Sequence, residues 1–297
     1  MCPDPVTELP LRALSHGLSE MQFTMISAAL PYAGGRIDRL LVFTLLARRT
    51  LDSGRPTPVL SIANSLGLPF DTTRRHVAAL AEAGWCRRDR GGVLFTGSLD
   101  DAPMDVLAPL AHDCMVRFIA DLGATGALPS FRRSTRPYSW RAGWFTAVDM
   151  MLAVVDCNIG THQDRVNLVL FSTIQCANYR QVATNPVLTR RYAAMGTTLP
   201  EALKVPLRPR RLGELLMMPK ATVRRRLDIM LQEQVQQLPD GLVINEAFLR
   251  SPRSMETKVA MWANLRRLMA GLAMLGFPFD DPESAYVVGR PATTPID

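Results

Sequence analysis

Residues 61–95 read SIANSLGLPFDTTRRHVAALAEAGWCRRDRGGVLF, and this stretch decides the fold. Apolar residues recur at helical spacing over Val59–Leu66, and Gly67 follows where a glycine commonly ends a helix. A second helical pattern comes next, with Asp71 as its expected N-cap. Residues 85–95 then place two apolar runs on either side of a Gly-Gly turn, which is typical of a β-hairpin. The stretch therefore predicts helix, turn, helix and hairpin in that order.

The same pattern returns 150 residues later, in residues 210–244, RRLGELLMMPKATVRRRLDIMLQEQVQQLPDGLVI. Seven identical residues fall on one another at this shift: Leu66, Pro69, Thr72, Arg74, Arg75, Gly91 and Val93 on Leu216, Pro219, Thr222, Arg224, Arg225, Gly241 and Val243. Upstream, residues 38–40 match 164–166 at a shift of 126, so the second copy is expected to carry about 24 extra residues between positions 173 and 206. We interpret the chain as one duplicated unit.

This order of elements resembles a winged helix-turn-helix, and residues 61–95 resemble bacterial transcriptional regulators of the MarR and GntR kind. Residues 210–244 are similar but divergent, with Leu216-Met217 in place of the turn glycine. The resemblance is to a superfamily and covers about 75 of the 297 residues. It implies a mainly α fold with small β-wings, in which tandem winged helix-turn-helix repeats form an intramolecular pseudo-dimer that binds double-stranded DNA.

The expected domains follow from the repeat. They are a first unit at 1–125 with its winged helix-turn-helix at about 58–97, a linker at 126–143, a second unit at 144–280 with its motif at about 208–247, and a C-terminal tail at 281–297. Long amphipathic helices are expected at 104–123 and 255–276. In the superfamily such helices commonly build the dimer interface, and if the two copies pack through them, the chain would resemble a regulator dimer fused head to head. The chain would act as a monomeric pseudo-dimer or pair further as a homodimer.

In this fold the second helix enters the major groove, where arginine can grip guanine with two parallel N–H groups. With Val77, Leu80 and Ala81 facing the core, Thr-x-Arg-Arg lies outward in both copies. The candidate DNA-binding residues are Thr72, Arg74, Arg75, His76, Arg87, Arg88, Arg90, Lys220, Thr222, Arg224, Arg225 and Arg226. Arg74 and Arg224, on the flank of the helix, suit phosphates. The first wing carries arginines and the second glutamines, so we expect the first to bind DNA more strongly.

The composition favours an anionic partner. The net charge is +7 with 34 Lys+Arg, of which only three are lysine, although a GC-rich genome would also produce arginine in place of lysine. The first five residues lack the pattern of a signal peptide, and the longest apolar runs noted, at 168–171 and 271–279, are too short to cross a bilayer. Five cysteines without a CxxC pair suggest neither zinc nor disulfides, so we expect reduced thiols in a cytoplasmic protein without membrane contact.

Other chemistry finds little support in the sequence. We find no Gly-rich phosphate loop, HExxH or GxSxG motif, so we expect no enzyme and no cofactor. His112 and Cys114 would diverge on one helix, and no third metal ligand lies nearby in the sequence. Cys86 beside Arg87 and Arg88 could be a redox-sensitive thiol, but a structural cysteine is the favoured interpretation.

Two alternatives stay open. Some plasmid-type replication initiators also join two winged helices in one chain, and a protein-interaction scaffold could keep the motifs after losing DNA binding. The sequence does not identify a small-molecule effector.

Overall fold

The structure is a computed structural model that describes residues 9–132 and 134–293. Within this part of the chain the protein is mainly α-helical with two small antiparallel sheets, which confirms the predicted fold class at this level. The first half contains α1 (Leu11–Ala29), α2 (Ile37–Ser53), α3 (Val59–Leu66), α4 (Phe70–Glu82), β1 (Cys86–Asp89), β2 (Gly92–Phe95) and α5 (Met104–Ala124). A short 3-10 helix, Leu30–Ala33, connects α1 to α2.

The second half repeats this order and adds short elements. It contains α6 (Trp140–His162), α7 (Arg165–Asn178), α8 (Arg180–Ala183), α9 (Pro186–Arg191), α10 (Pro209–Leu215), α11 (Lys220–Met230), β3 (Val235–Leu238), β4 (Gly241–Ile244), α12 (Glu246–Leu249) and α13 (Pro252–Met274). Further 3-10 helices lie at Glu201–Leu203 and Pro282–Ala285. The predicted helices at 104–123 and 255–276 correspond to α5 and α13. The predicted domain limits stay a prediction.

The two hairpins are related by a shift of 149 residues. In β1–β2 Cys86 lies opposite Phe95, and in β3–β4 Val235 lies opposite Ile244. The left-handed glycine that starts the second strand is Gly92 in one copy and Gly241 in the other, at φ of 145° and 148°. The predicted pairing of Gly91 with Gly241, and of Val93 with Val243, is therefore wrong by one residue. Counted from the equivalent residues Leu80 and Met230, the path to the hairpin is therefore one residue shorter in the second unit.

A hydrogen bond from each hairpin to the preceding long helix corrects the upstream shift as well. The Phe95 amide donates to Thr50 Oγ1 at 3.1 Å, and the Ile244 amide donates to Asn178 Oδ1 at 2.7 Å. Thr50 and Asn178 differ by 128 residues, and at this shift Leu-Leu-Val-Phe at 40–43 falls on Leu-Val-Leu-Phe at 168–171. The predicted shift of 126 is therefore wrong.

The difference between shifts of 150 and 128 leaves 22 extra residues in the second copy. The extra chain lies where α8, α9 and a 3-10 helix connect α7 to α10. It builds a small hydrophobic cluster of its own around Tyr179, Val182, Tyr192 and Leu199. The insertion is therefore a packed feature that distinguishes the second unit from the first.

Left-handed backbone positions recur at equivalent places in the two units. Gly67 after α3 has φ of 55°, and Met217 after α10 has φ of 52°. Before α2, Gly35 has φ of 69°, and the equivalent Gln163 before α7 has φ of 66°. In each pair one unit uses glycine and the other has a residue with a side chain at positive φ. At Gly67 and Met217 the hydrogen bonds are also the same, so this turn is kept although the glycine is not, at a cost of about 1–2 kcal/mol for Met217.

One hydrophobic core cluster includes residues of both units. Each unit packs its two longest helices together, α1 with α5 and α6 with α13. Between the units, α1 packs on α7, α2 on α6, and α5 on α6. Since α1 and α2 are equivalent to α6 and α7, the first two contacts join equivalent pairs of helices. The interface between the units is formed mainly by the helices at the start of each unit together with α5, and not by packing of α5 on α13.

One described helix, α6, is long and apolar enough to cross a membrane, judged by length and composition alone. The apolar runs noted in the sequence did not include it. Half of its most apolar window is buried inside the protein. Its Asp149 accepts from Arg48 Nε of α2 at 2.9 Å, and Val148 and Met151 lie in the hydrophobic core. In this structure α6 is a central helix of the bundle.

The left-handed turn residues yield a stability prediction. Met217→Gly should raise the free energy of unfolding by up to about 1 kcal/mol, because glycine adopts this conformation without strain and the Met217 side chain is half exposed. Gly67→Ala should lower it by about 1–2 kcal/mol, because the new Cβ would stand 3.2 Å from Arg165 Nη2 in a left-handed residue. Urea denaturation measures both changes. A destabilised Met217→Gly variant would contradict the strain argument.

Two buried histidines should lower the stability of the folded protein as the pH falls. Burial lowers the pKa of both His16 and His162 from 6.5 to about 4. Between these values only the unfolded chain binds the proton, so stability falls as the pH decreases from about 6.5 towards 4. At pH 5 each histidine should cost about 2 kcal/mol relative to pH 7. Urea denaturation at the two pH values measures the loss, and His162→Gln should remove its share. An equal loss in that variant would contradict the assignment.

Candidate nucleic-acid interface

The helices α4 and α11 have the same pattern of burial at a shift of 150. Positions 71–80 and 221–230 run exposed, intermediate, buried, exposed, exposed, intermediate, buried, exposed, intermediate, buried in both units. The buried positions are Thr73, Val77 and Leu80 in α4, and Val223, Leu227 and Met230 in α11. The arginine pairs Arg74-Arg75 and Arg224-Arg225 therefore face solvent in both copies, as the helical pattern predicts. Ala81, expected on the core side, is only partly buried.

The first turn of α4 differs from the prediction. The helix begins at Phe70 with Pro69 at the N-cap, so Asp71 lies inside the first turn and makes no capping hydrogen bond. Proline supplies a fixed φ at this boundary, and its carbonyl accepts from the Thr73 amide at 3.0 Å. The Asp71 carboxylate instead pairs with Arg74 Nε at 3.4 Å on the surface. The predicted N-cap at Asp71 is wrong.

One predicted DNA-binding residue of the second copy, Arg226, is bound by side chains of the same chain. Arg226 Nη1 donates to Asp164 and, at 3.2 Å, to Asn167 Oδ1 at the start of α7. Asp164 is also the N-cap of α7, accepting from the Asn167 amide at 2.9 Å. Arg226 is therefore engaged in an ion pair. Arg224 and Arg225 are exposed, and neither has a side-chain hydrogen bond or ion pair within residues 9–132 and 134–293.

The outward faces of α4 and α11 line one cleft of about 830 Å³. The cleft brings together the predicted residues Thr72, Arg75, His76, Thr222, Arg225 and Arg226. The predicted flank and wing residues do not line it: Arg74, Arg87, Arg88, Arg90, Lys220 and Arg224. The two helices therefore present their polar faces to the same opening.

The start of α2 also lines this cleft, and the sequence reasoning missed it as a candidate site. Residues 34–39, Gly-Gly-Arg-Ile-Asp-Arg, supply Arg36 and Arg39. Gly35 lies beside the turn of the second unit, where a Cβ would be in ordinary van der Waals contact with Met217 Cβ, at 3.6 Å. The available signal was the Gly-Gly pair directly before a helix. A Gly-Gly pair has no helical periodicity, so hydrophobic spacing does not reveal it.

His76 lies half-buried between α4 and the start of α2. Burial lowers its pKa, and the positive charges of Arg39, Arg36 and Arg75 lower it further, against an opposing effect of Asp38. The lowered pKa leaves the imidazole uncharged at neutral pH. In the cleft of the first unit, arginine therefore supplies the positive charge.

The wings are unequal, as the sequence predicts. Arg87, Arg88 and Arg90 are exposed on the first hairpin, with Arg87 Nη1 paired to Asp89 at 3.1 Å. The second hairpin exposes Gln236, Gln237, Pro239 and Asp240 at its surface. Positive charge is therefore concentrated on the first wing.

The histidine and cysteines considered for other chemistry are all buried. His112 is buried, with its two ring nitrogens 3.0 Å from Asp113 Oδ1 and 2.7 Å from the Tyr138 hydroxyl. Burial raises the pKa of the Cys114 thiol to about 12 and that of Cys86 to about 11, the opposite of an activated thiol. Among the described residues, no group of three or more His, Cys, Asp or Glu side chains could hold a metal ion.

Comparisons with protein-family models, with curated proteins and with solved structures each find no match. We therefore infer the function from the geometry of this chain.

The different environments of neighbouring arginines predict different effects on stability. Arg226→Ala should lower the free energy of unfolding by about 1 kcal/mol, because it leaves Asp164 and Asn167 without their shared donor. Arg225→Ala, on the same helix and exposed, should change it by less than about 0.5 kcal/mol. Urea denaturation of both variants measures the contrast. Equal effects would show that the ion pair of Arg226 does not form in solution.

Proposed function

We propose that this protein is a sequence-specific transcriptional regulator that binds double-stranded DNA through two unequal winged helix-turn-helix motifs on an imperfect palindrome. The observation that carries the proposal is the repeated surface of α4 and α11. Both helices have the same burial pattern, expose the arginine pair of the same Thr-x-Arg-Arg sequence and line one cleft. A solvated basic helix face has no need to recur in the same frame at a shift of 150 residues.

The geometry supports simultaneous contact of both helices with one duplex. Helix α4 packs on α2, α2 packs on α7, and α11 reaches α7 through Arg226. Successive major grooves on one face of a duplex are about 34 Å apart. The proposal places one recognition helix in each of two such grooves, with half-sites about one turn apart.

The two motifs have unequal roles in this proposal. The first wing offers Arg87, Arg88 and Arg90 to the sugar-phosphate backbone or a narrow minor groove. The second wing offers two glutamines and an aspartate, so it contributes less phosphate affinity. Arg75 and Arg225 are the exposed cleft arginines on the two recognition helices, and we assign direct base contacts to them.

Selection from a random-sequence duplex pool tests the proposal directly. A single class of site should be enriched, and its affinity should fall steeply as the salt concentration rises, because phosphate contacts release counterions. Failure to enrich any site would contradict sequence-specific binding. Binding of a partner protein with little salt dependence would instead favour an interaction scaffold.

Substitutions of the recognition arginines separate base contacts from phosphate contacts. Arg75→Ala and Arg225→Ala should each cost about 1–3 kcal/mol on the selected site and relax the preference at one base pair. Arg88→Ala on the first wing should weaken binding to all sequences alike and reduce the salt slope by about one. Fluorescence anisotropy over a series of salt concentrations measures both effects.

The matched control is Arg266→Ala, which removes an exposed arginine of α13 that does not line the cleft. It should leave affinity and base preference close to those of the original protein. If Arg75→Ala and Arg225→Ala behave like this control, the assignment of the recognition face is wrong.

A further inference from the structure

The start of α2 and the start of α7 are equivalent elements with opposite chemistry. At the shift of 128, Arg36 at the N-cap of α2 falls on Asp164 at the N-cap of α7. Arg39, one turn later, falls on Asn167. One unit therefore has two cationic side chains where the other has a carboxylate and an amide.

The facing position on the recognition helix has changed as well. His76 of α4 is equivalent to Arg226 of α11 at the shift of 150. In the second unit Asp164 and Asn167 bind Arg226, so the cation is paired. In the first unit the arginines face His76, which is uncharged at neutral pH because its pKa is lowered. This position of α4 therefore supplies no negative charge to pair with them. The first unit has its positive charge at the start of α2, and the second has the equivalent charge on α11. Only in the second unit is this charge paired with a carboxylate.

The first unit's half of the cleft is therefore the more basic. It holds Arg36, Arg39 and Arg75 against one acid, Asp38. Arg36 is exposed, and the Nε atom of Arg39 is buried without a hydrogen-bond partner. The second unit's half holds Arg225 and Arg226, with Asp164 bound to Arg226. The cleft therefore carries more positive charge on the side of the first unit than on the side of the second.

The position of this charge decides what part of a duplex it meets. When two recognition helices occupy successive major grooves on one face, the minor groove between them faces the protein. A narrow, A·T-rich minor groove has an enhanced negative potential and attracts arginine. The start of α2 lies in the cleft between the two helices, where that groove would pass.

We infer that Arg36 and Arg39 form a third DNA-contacting element, which binds the minor groove between the two half-sites on the side of the first unit. This inference rests on the proposed function and deepens it. It makes the central base pairs part of the recognised site, with A·T preferred on one side only. The contact also gives the complex a fixed orientation on a nearly palindromic sequence.

Base analogues in the selected duplex test the inference. Inosine·cytosine in place of an A·T pair keeps the minor-groove pattern of A·T, whereas 2,6-diaminopurine·thymine adds an amino group where guanine has one. The half-site of the first unit is the one whose preference Arg75→Ala relaxes. Between the half-sites, on that side, diaminopurine should weaken binding at least fivefold and inosine less than twofold. Neither analogue should matter on the other side.

The protein variants complete the test. Arg36→Ala with Arg39→Ala should weaken binding about tenfold and abolish the sensitivity to diaminopurine, while Arg266→Ala keeps both affinity and sensitivity. Arg36→Ala alone removes an exposed side chain and should show part of the loss. Urea denaturation confirms that each variant is folded.

The possible results separate a failure of the proposed function from a failure of the inference about Arg36 and Arg39. If no duplex is selected, the proposed function fails, and the inference fails with it. If a duplex is selected but the double variant binds and discriminates like the original protein, only the inference is overturned. Weakened binding without any diaminopurine effect would assign the arginines to phosphates and would also overturn it.

Discussion

The left-handed residue between the two short helices of each unit sets the direction of the exposed arginines. After α3, Gly67 and Leu68 donate their amides to Asn64 and Ala63 carbonyls at 3.2 and 2.9 Å. After α10, Met217 donates to Glu214 at 3.3 Å, and the next amide donates to Gly213 at 2.8 Å. This pair of bonds ends the helix and turns the chain into the next one at a fixed angle. The following helix then buries one stripe, and its arginine pair is left facing outward.

The proposed duplication accounts for the arrangement of the core, and divergence accounts for the differences at the surface. Equivalent pairs of helices meet between the units, α1 with α7 and α6 with α2. Around this shared framework, the second unit has an inserted segment with its own small cluster, and the first has the arginine-rich wing. A chain built this way keeps the geometry of a symmetric pair while each half changes its charges independently. The proposed reading of an imperfect palindrome follows from that freedom.

The sequence predicted the elements well where periodicity or turn chemistry is strong. The bounds of α3, the hairpin at 86–95 and the outward Arg74-Arg75 pair follow from local patterns. The alignment of the two hairpins was predicted wrongly, because matching identical glycines placed Gly91 on Gly241. In backbone geometry the equivalent of Gly241 is Gly92. Hydrogen bonds of Thr50 and Asn178 to the hairpins revealed the true alignment, and such tertiary contacts leave no local pattern.

The same limit applies to the candidate site. Arg226 and Asp164 are 62 residues apart, so their ion pair could not be read from the helix alone. The contribution of Arg36 and Arg39 depends on the start of α2 approaching the turn of the other unit at Gly35. Close approach between distant segments is a property of the folded chain. The sequence could therefore identify the two arginine-bearing helices, α4 and α11, but it could not show the cleft between them.

The central claim is that one chain places two recognition helices on one duplex at the same time. Hydroxyl-radical footprinting of the selected site, with the protein at concentrations where it is monomeric by sedimentation, tests this most directly. The account predicts two protected stretches on the same face of the duplex, with centres about one helical turn apart. A single protected stretch of a few base pairs, or two stretches that appear only when two chains are bound, would contradict it.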